Sequence, residues 1–84
     1  MSIEIRYSRD AQDTLRQLDA VLAKRLRAKI WQLAEAPEAL ANNIRALKGG
    51  EGLMRLRVGD WRVIYRDDIV LMIVRIAARG SAYD

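Results

Sequence analysis

The sequence contains neither cysteine nor histidine. Without cysteine there is no disulfide and no thiolate metal site, and a cytosolic setting is expected. Without histidine the usual acid–base side chain and the commonest metal ligand are both missing, so neither metal nor cofactor is expected. No apolar run approaches the length of a membrane span, and the N-terminus lacks the basic-then-apolar pattern of a signal peptide. Those absences point to a cytoplasmic protein with no membrane partner. Proline occurs once, at Pro37, and nothing repeats or is low in complexity. The 84 residues make one domain, 1–84, with room for a core but only a marginal one.

What is present is a basic stretch. Lys and Arg number 15 against 11 Asp and Glu, and residues 41–66 hold six of the cations (Arg45, Lys48, Arg55, Arg57, Arg62, Arg66) against Glu51 and Asp60. The net charge of +4 sits in that segment. A basic focus on one element is the electrostatic footprint of a nucleic-acid binder.

That segment lies mostly within a strand meander running from Leu53 to Tyr83. A Gly-X pair between two alternating runs signals a hairpin, because glycine supplies the positive φ that the tight turn needs. With Gly59-Asp60 as a two-residue loop, Val58 faces Trp61, Arg57 faces Arg62, Leu56 faces Val63 and Arg55 faces Ile64. Alternation then gives Met54, Leu56, Val58, Trp61, Val63 and Tyr65 to a core face. The other face takes Leu53, Arg55, Arg57, Arg62, Ile64 and Arg66. A second tight turn at Asp67-Asp68 adds Val70, Met72, Val74 and Ile76 to the core. It adds Ile69, Leu71, Ile73, Arg75, Ala77 and Arg79 to the basic face.

Arginine directly opposite arginine is unfavourable on a sheet face, where an aromatic or opposite-charge pair contributes roughly 0.2–1 kcal/mol. Two readings fit. The face is an anion site, with phosphate as the fitting anion, or it is a solvated face whose arginines serve solubility and edge protection.

The remainder supplies a frame. Ile3, Ile5 and Tyr7 alternate as a short strand. Ser8 is a good N-cap for a first helix with the stripe Ala11, Leu15, Leu18. Asp19 caps a second helix whose inner face is Leu22, Leu26, Ile30, Leu33 and Ala34, and Pro37 stops it. Trp31 falls opposite that stripe, either as an anchor for a partner or tucked against the first helix or the loop after Pro37. Residues 38–52 read as a helical turn followed by a glycine-rich loop without the Walker spacing, which excludes nucleotide binding by that route. The expected architecture is α+β, in the order β-α-α-β-β-β. An antiparallel helix pair packs on one face of a small, mainly antiparallel four-stranded sheet.

A strand, a helix pair ended by L-A-E-A-P, a loop with L-K-G, then L-M-R-L-R-V-G-D-W-R-V-I-Y-R and V-R-I-A-A-R-G-S-A-Y resemble the RelE/ParE superfamily of bacterial toxins over nearly the whole chain. The most specific block is Arg55-Leu56-Arg57-Val58-Gly59-Asp60-Trp61-Arg62-Val63-Ile64-Tyr65. RelE-type members are metal-independent endoribonucleases that cut messenger RNA on the ribosome. ParE-type members share the fold and poison DNA gyrase. Each is silenced by a cognate antitoxin, so a toxin–antitoxin hetero-oligomer is implied.

Carried over from the RelE branch, Arg55 steers the scissile phosphate, Arg62 holds it, Arg79 stabilises the transition state, and Tyr83 stacks on or orients a base. Lys48, Arg57 and Arg45 are further RNA-binding candidates. The reaction implied is attack of a ribose 2′-hydroxyl on the adjacent phosphate, which needs positioned positive charge and proton transfer. The chain departs from the family at Ala78, where many relatives carry histidine before the arginine, and at Leu53, where some carry a further basic residue. The departure implies electrostatic stabilisation alone, or an activity that Ala78→His raises. A ParE-like gyrase inhibitor and a non-catalytic RNA-binding relative are the competing functions. Ile64, Leu71 and Ile73, beside the arginines, would accept an antitoxin segment whose acids neutralise the basic face. The other reading is that the first strand, a loop or the chain end covers them.

Overall fold

In the computed structural model, which describes residues 3–49 and 52–78, both helices begin where the capping chemistry places them. Ser8 Oγ accepts from the Ala11 amide, opening α1 (Arg9–Gln17). Asp19 accepts from the Val21 and Leu22 amides, opening α2 (Ala20–Glu35). Each cap satisfies amides that have no partner within the helix. Pro37 lacks an amide hydrogen and cannot extend α2; a 3-10 helix over Pro37–Asn43 follows instead.

The strands are β1 (Ile5–Tyr7), β2 (Ile44–Ala46), β3 (Leu53–Val58), β4 (Trp61–Asp67) and β5 (Leu71–Ala78). They form one five-stranded sheet in the order β1-β5-β4-β3-β2. β1 runs parallel to β5, and the other pairs are antiparallel. The α+β class is as expected, with one strand more. β2, part of a stretch read from sequence as turn and loop, pairs with the outer side of β3 as a three-residue edge. So short a strand carries too little alternation to be recognised.

The β3–β4 hairpin has the expected register, and Gly59 takes φ 58° at its turn. The β4–β5 hairpin differs. Asp67 remains in the ladder opposite Leu71, leaving Asp68, Ile69 and Val70 as a three-residue connection. One extra residue in a turn moves every following side chain to the other face. Leu71 and Ile73 therefore lie buried on the helix side, with Tyr65 and Val63, and not on the basic face. A register shift between Ile64 and Tyr65 then restores the expected parity, with Val63 opposite Ile76 and Arg62 opposite Ala77. Val74 is the surplus residue of this β-bulge.

The helix pair covers one sheet face. Ala11 and Leu15 from α1 and Leu26, Ile30, Leu33 and Ala34 from α2 join Leu56, Val58, Val63, Tyr65, Leu71, Ile73 and Ile76. Trp31 is 61% exposed, so it is not tucked against α1 or the loop. Among the described residues, no helix is long and apolar enough to cross a membrane.

Candidate functional site

Strand pairing puts the arginines into rows on the face opposite the helices. Cα partners share a face, so one row runs Arg45, Arg55, Ile64, Arg75 across β2, β3, β4 and β5. The next runs Arg57, Arg62, Ala77. A third runs Leu53, Arg66, Met72, Arg6, reaching β1. Adjacent strands lie about 4.8 Å apart, and same-face neighbours along a strand about 7 Å apart. The first two rows thus gather five guanidinium groups within the span of a few nucleotides. Arg66 stands here by alternation along β4, and Arg75 by the register shift between Ile64 and Tyr65.

The rows have an exposed rim and a buried floor. Arg45, Arg57 and Arg66 are exposed, Arg55 and Arg75 are half-buried, and Arg62 is only 5% exposed. Ile64 and Ala77 are also buried, yet neither belongs to the helix-side core. Ile64 has Arg55 on one side and Arg75 on the other, where arginine stems can lie along apolar surface with their charged heads outward. A guanidinium keeps its charge under desolvation. Arg62 therefore carries a fixed positive charge in a medium where its field is stronger than in water.

Arg45 opposite Arg55 and Arg57 opposite Arg62 are two like-charge pairs directly across strands. At the β1 margin of this face, Glu4, the residue before the strand, pairs with Arg6 in the open. That pairing raises the already high pKa of Arg6.

The remaining candidates are dispersed. Lys48 is exposed in the connection between β2 and β3, off the sheet face. Ala78 pairs with Trp61, whose side chain packs against the helix-side core, so position 78 faces away from the arginine rows. Arg79 and Tyr83 lie outside the described residues. Ile64 is on the expected face but buried. Leu71 and Ile73 are core, so as antitoxin contacts both are corrected. Tyr7 and Tyr65 line the helix side and cannot serve the rows as acid or base. Burial pushes the Tyr65 hydroxyl up to about 12, with Asp67 adding to the effect. Burial also raises Tyr7, against the opposing charge of Arg27, which stands 5.8 Å from the centre of its ring.

A helix pair on one face of a five-stranded sheet, with rows of arginines on the opposite face, defines a small α+β protein. The model of the ParE toxin of type II toxin–antitoxin systems (parDE) matches residues 5–83. The chain belongs to that family and is a toxin of a type II toxin–antitoxin system. Its fold is that of the RelE toxins. It is similar to the archaeal RelE of the RelE–RelB complex from Pyrococcus horikoshii OT3, with 26% identity, TM-score 0.77, and 98% of this chain and 100% of that one covered. The intact E. coli RelBE complex gives 16% identity and TM-score 0.73 over 96% of this chain and 100% of that one. RelBE2 of Mycobacterium tuberculosis gives 20% and 0.68 over 94% and 100%. No curated protein matches the chain significantly.

Proposed function

We propose that this toxin is a RelE-like endoribonuclease that cleaves messenger RNA in association with the ribosome. The observation that carries the reading is the juxtaposition of Arg55, Arg57 and Arg62 on the sheet face the helices leave uncovered. A phosphodiester laid across the first two rows has cations on both sides. The 2′-hydroxyl attacks the adjacent phosphorus, and the developing phosphorane gathers negative charge on its equatorial oxygens. Arg55 and Arg62 stabilise that charge, and preorganised charge of this kind is usually the largest single contribution to rate. The 5′-oxygen leaves with a proton, producing a cyclic phosphate and a free 5′-hydroxyl. Arg79 and Tyr83 are assigned the remaining charge and base contacts. Arg45, Arg57 and Lys48 hold the flanking backbone.

The chain has no histidine to supply an imidazole, and the two proton transfers are assigned to water. That predicts a modest rate. General acid–base groups typically contribute about 10²–10⁴-fold, and here that factor is missing.

The partner that silences the toxin is a cognate antitoxin, as in the RelE–RelB complexes it resembles. Ile64 is buried and Leu71 and Ile73 are core, so the antitoxin contacts the arginines themselves, through an acidic segment. A cytoplasmic protein held in a toxin–antitoxin hetero-oligomer is the setting this implies.

The family match favours a second reading, inhibition of DNA gyrase by protein binding. Two assays on the same preparation separate them. Cleavage of a ribosome-bound message, mapped by primer extension, is expected. Inhibition of gyrase supercoiling with the message left intact would remove the nuclease reading.

A further inference from the structure

We infer that Arg75 is a phosphate-binding residue of the arginine face, and that Ser8, on the other side of the sheet, is the positioning residue that keeps it there. The inference rests on the RNA-directed reading above and adds a contact and a device to it.

The β4–β5 connection leaves Leu71 and Ile73 on the helix side. Plain alternation from Ile73 would carry residue 75 to that side as well, placing a guanidinium in the core. The bulge prevents this. Val74 is the surplus residue, after which Arg75 stands opposite Ile64, on the face that carries Arg55. Arg55 and Arg75 flank Ile64 from β3 and β5, so their Cα atoms lie two strands apart, about 10 Å. Two extended guanidinium side chains can reach from there to one phosphodiester group between them. Bulges beside functional sites commonly re-aim one side chain in this way.

Ser8 grips the bulge at two successive carbonyls. Its amide donates to Ile73 O at 2.8 Å, and its hydroxyl donates to Val74 O at 2.6 Å. The same oxygen accepts from the Ala11 amide at 3.0 Å as the cap of α1. A cap needs only the acceptor. The donated bond to Val74 ties the start of a helix to the one place where β5 changes register.

The test uses the full chain and a short single-stranded RNA with 2′-O-methyl groups, which binds but cannot be cut. Affinity is read by fluorescence anisotropy across a salt series. Arg75→Gln is expected to lower the slope of log K against log salt by about 0.7, the share of one phosphate contact on a single strand. Ser8→Gly retains most capping stability but loses the hydroxyl, and is expected to lower the slope equally. Ser8→Thr, which keeps donor and acceptor, should behave as wild type. The double variant Ser8→Gly with Arg75→Gln should be no worse than Arg75→Gln alone, since the two act through one contact. Thermal melts of each variant confirm folding.

A wild-type slope in Arg75→Gln overturns the inference, because a bulge that only kept a charge out of the core would leave RNA binding untouched. Additive losses in the double variant overturn the role of Ser8. Cleavage of unmodified message is scored separately. Slope changes without any cleavage by wild type support this inference and count against the nuclease. Cleavage with an unchanged Arg75→Gln slope does the reverse.

Discussion

Arg57 lies directly across the β3–β4 ladder from Arg62, the first exposed and the second buried. Stability alone would place an acid at one of these positions. Arg57→Glu is therefore expected to raise the free energy of unfolding by up to ~1 kcal/mol, exchanging a repulsion for an attraction. The same change should weaken RNA binding and cleavage. Urea denaturation beside a cleavage assay reads both, and a variant both less stable and fully active would show that the pair has no functional cost.

Arg62 itself separates fold from chemistry in a different way. Lysine keeps the positive charge at this position but loses the planar fork that arginine presents to a phosphate. In Arg62→Met, checked for folding by its thermal melt, message cleavage is expected to fall about 10²-fold or more through loss of charge stabilisation, with a smaller fall in Arg62→Lys. If cleavage survives in Arg62→Met, the phosphate is not held at this row.

Installing histidine at position 78 is the obvious repair when the sequence is compared with its family. The register argues otherwise, because Ala78 stands opposite Trp61 on the helix side. Ala78→His is expected to leave the cleavage rate within about tenfold of wild type, short of the larger factors a well-placed general acid or base brings. A hundredfold gain in a single-turnover assay would show that the imidazole reaches the arginine rows.

Charging Leu71 or Ile73 is expected to unfold the protein and not merely to free it from its antitoxin, since both are buried among helix residues. The milder Ile73→Ala should cost about 2–5 kcal/mol, the range for truncating a buried aliphatic side chain. A normal melt with lost antitoxin affinity would return these residues to the binding surface.

Tyr65 sets an alkaline limit. Its hydroxyl is held at about 12 in the folded chain, against about 10 when unfolded. The folded state binds this proton more tightly, so the contribution is whole below pH 10 and is lost as pH rises through 12. The loss amounts to ~3 kcal/mol. Tyr65→Phe should flatten that limb of the stability profile, and denaturation midpoints between pH 9 and 12 would reveal it.

The sequence was most legible where a local rule had no competitor. Ser8 and Asp19 cap their helices, Pro37 ends α2, and Gly59 sets a hairpin whose register follows residue by residue. It was least legible at Asp67-Asp68. Neither residue is a glycine that fixes turn length, so two- and three-residue connections read alike. That one-residue ambiguity moved Leu71 and Ile73 to the wrong face. Arg75 and Ala77 were placed correctly because a second departure, the bulge, cancelled the first. Edge strand β2 was missed because three residues show no period. Charge alternation exposed the arginine rows, but their depth depends on packing, so the burial of Arg62 was invisible.

The position of β1 has a bearing on how a cell can make such a chain. β1 is translated well before its ladder partner β5. During synthesis β1 must wait, unpaired, until the residues through β5 have emerged. Long-range pairings of this sort are slow to close, so α1 is released into solvent before the sheet that will support it exists. A nascent chain halted after Asp67 should be readily proteolysed and harmless, and competence to poison its host arrives in a single late step.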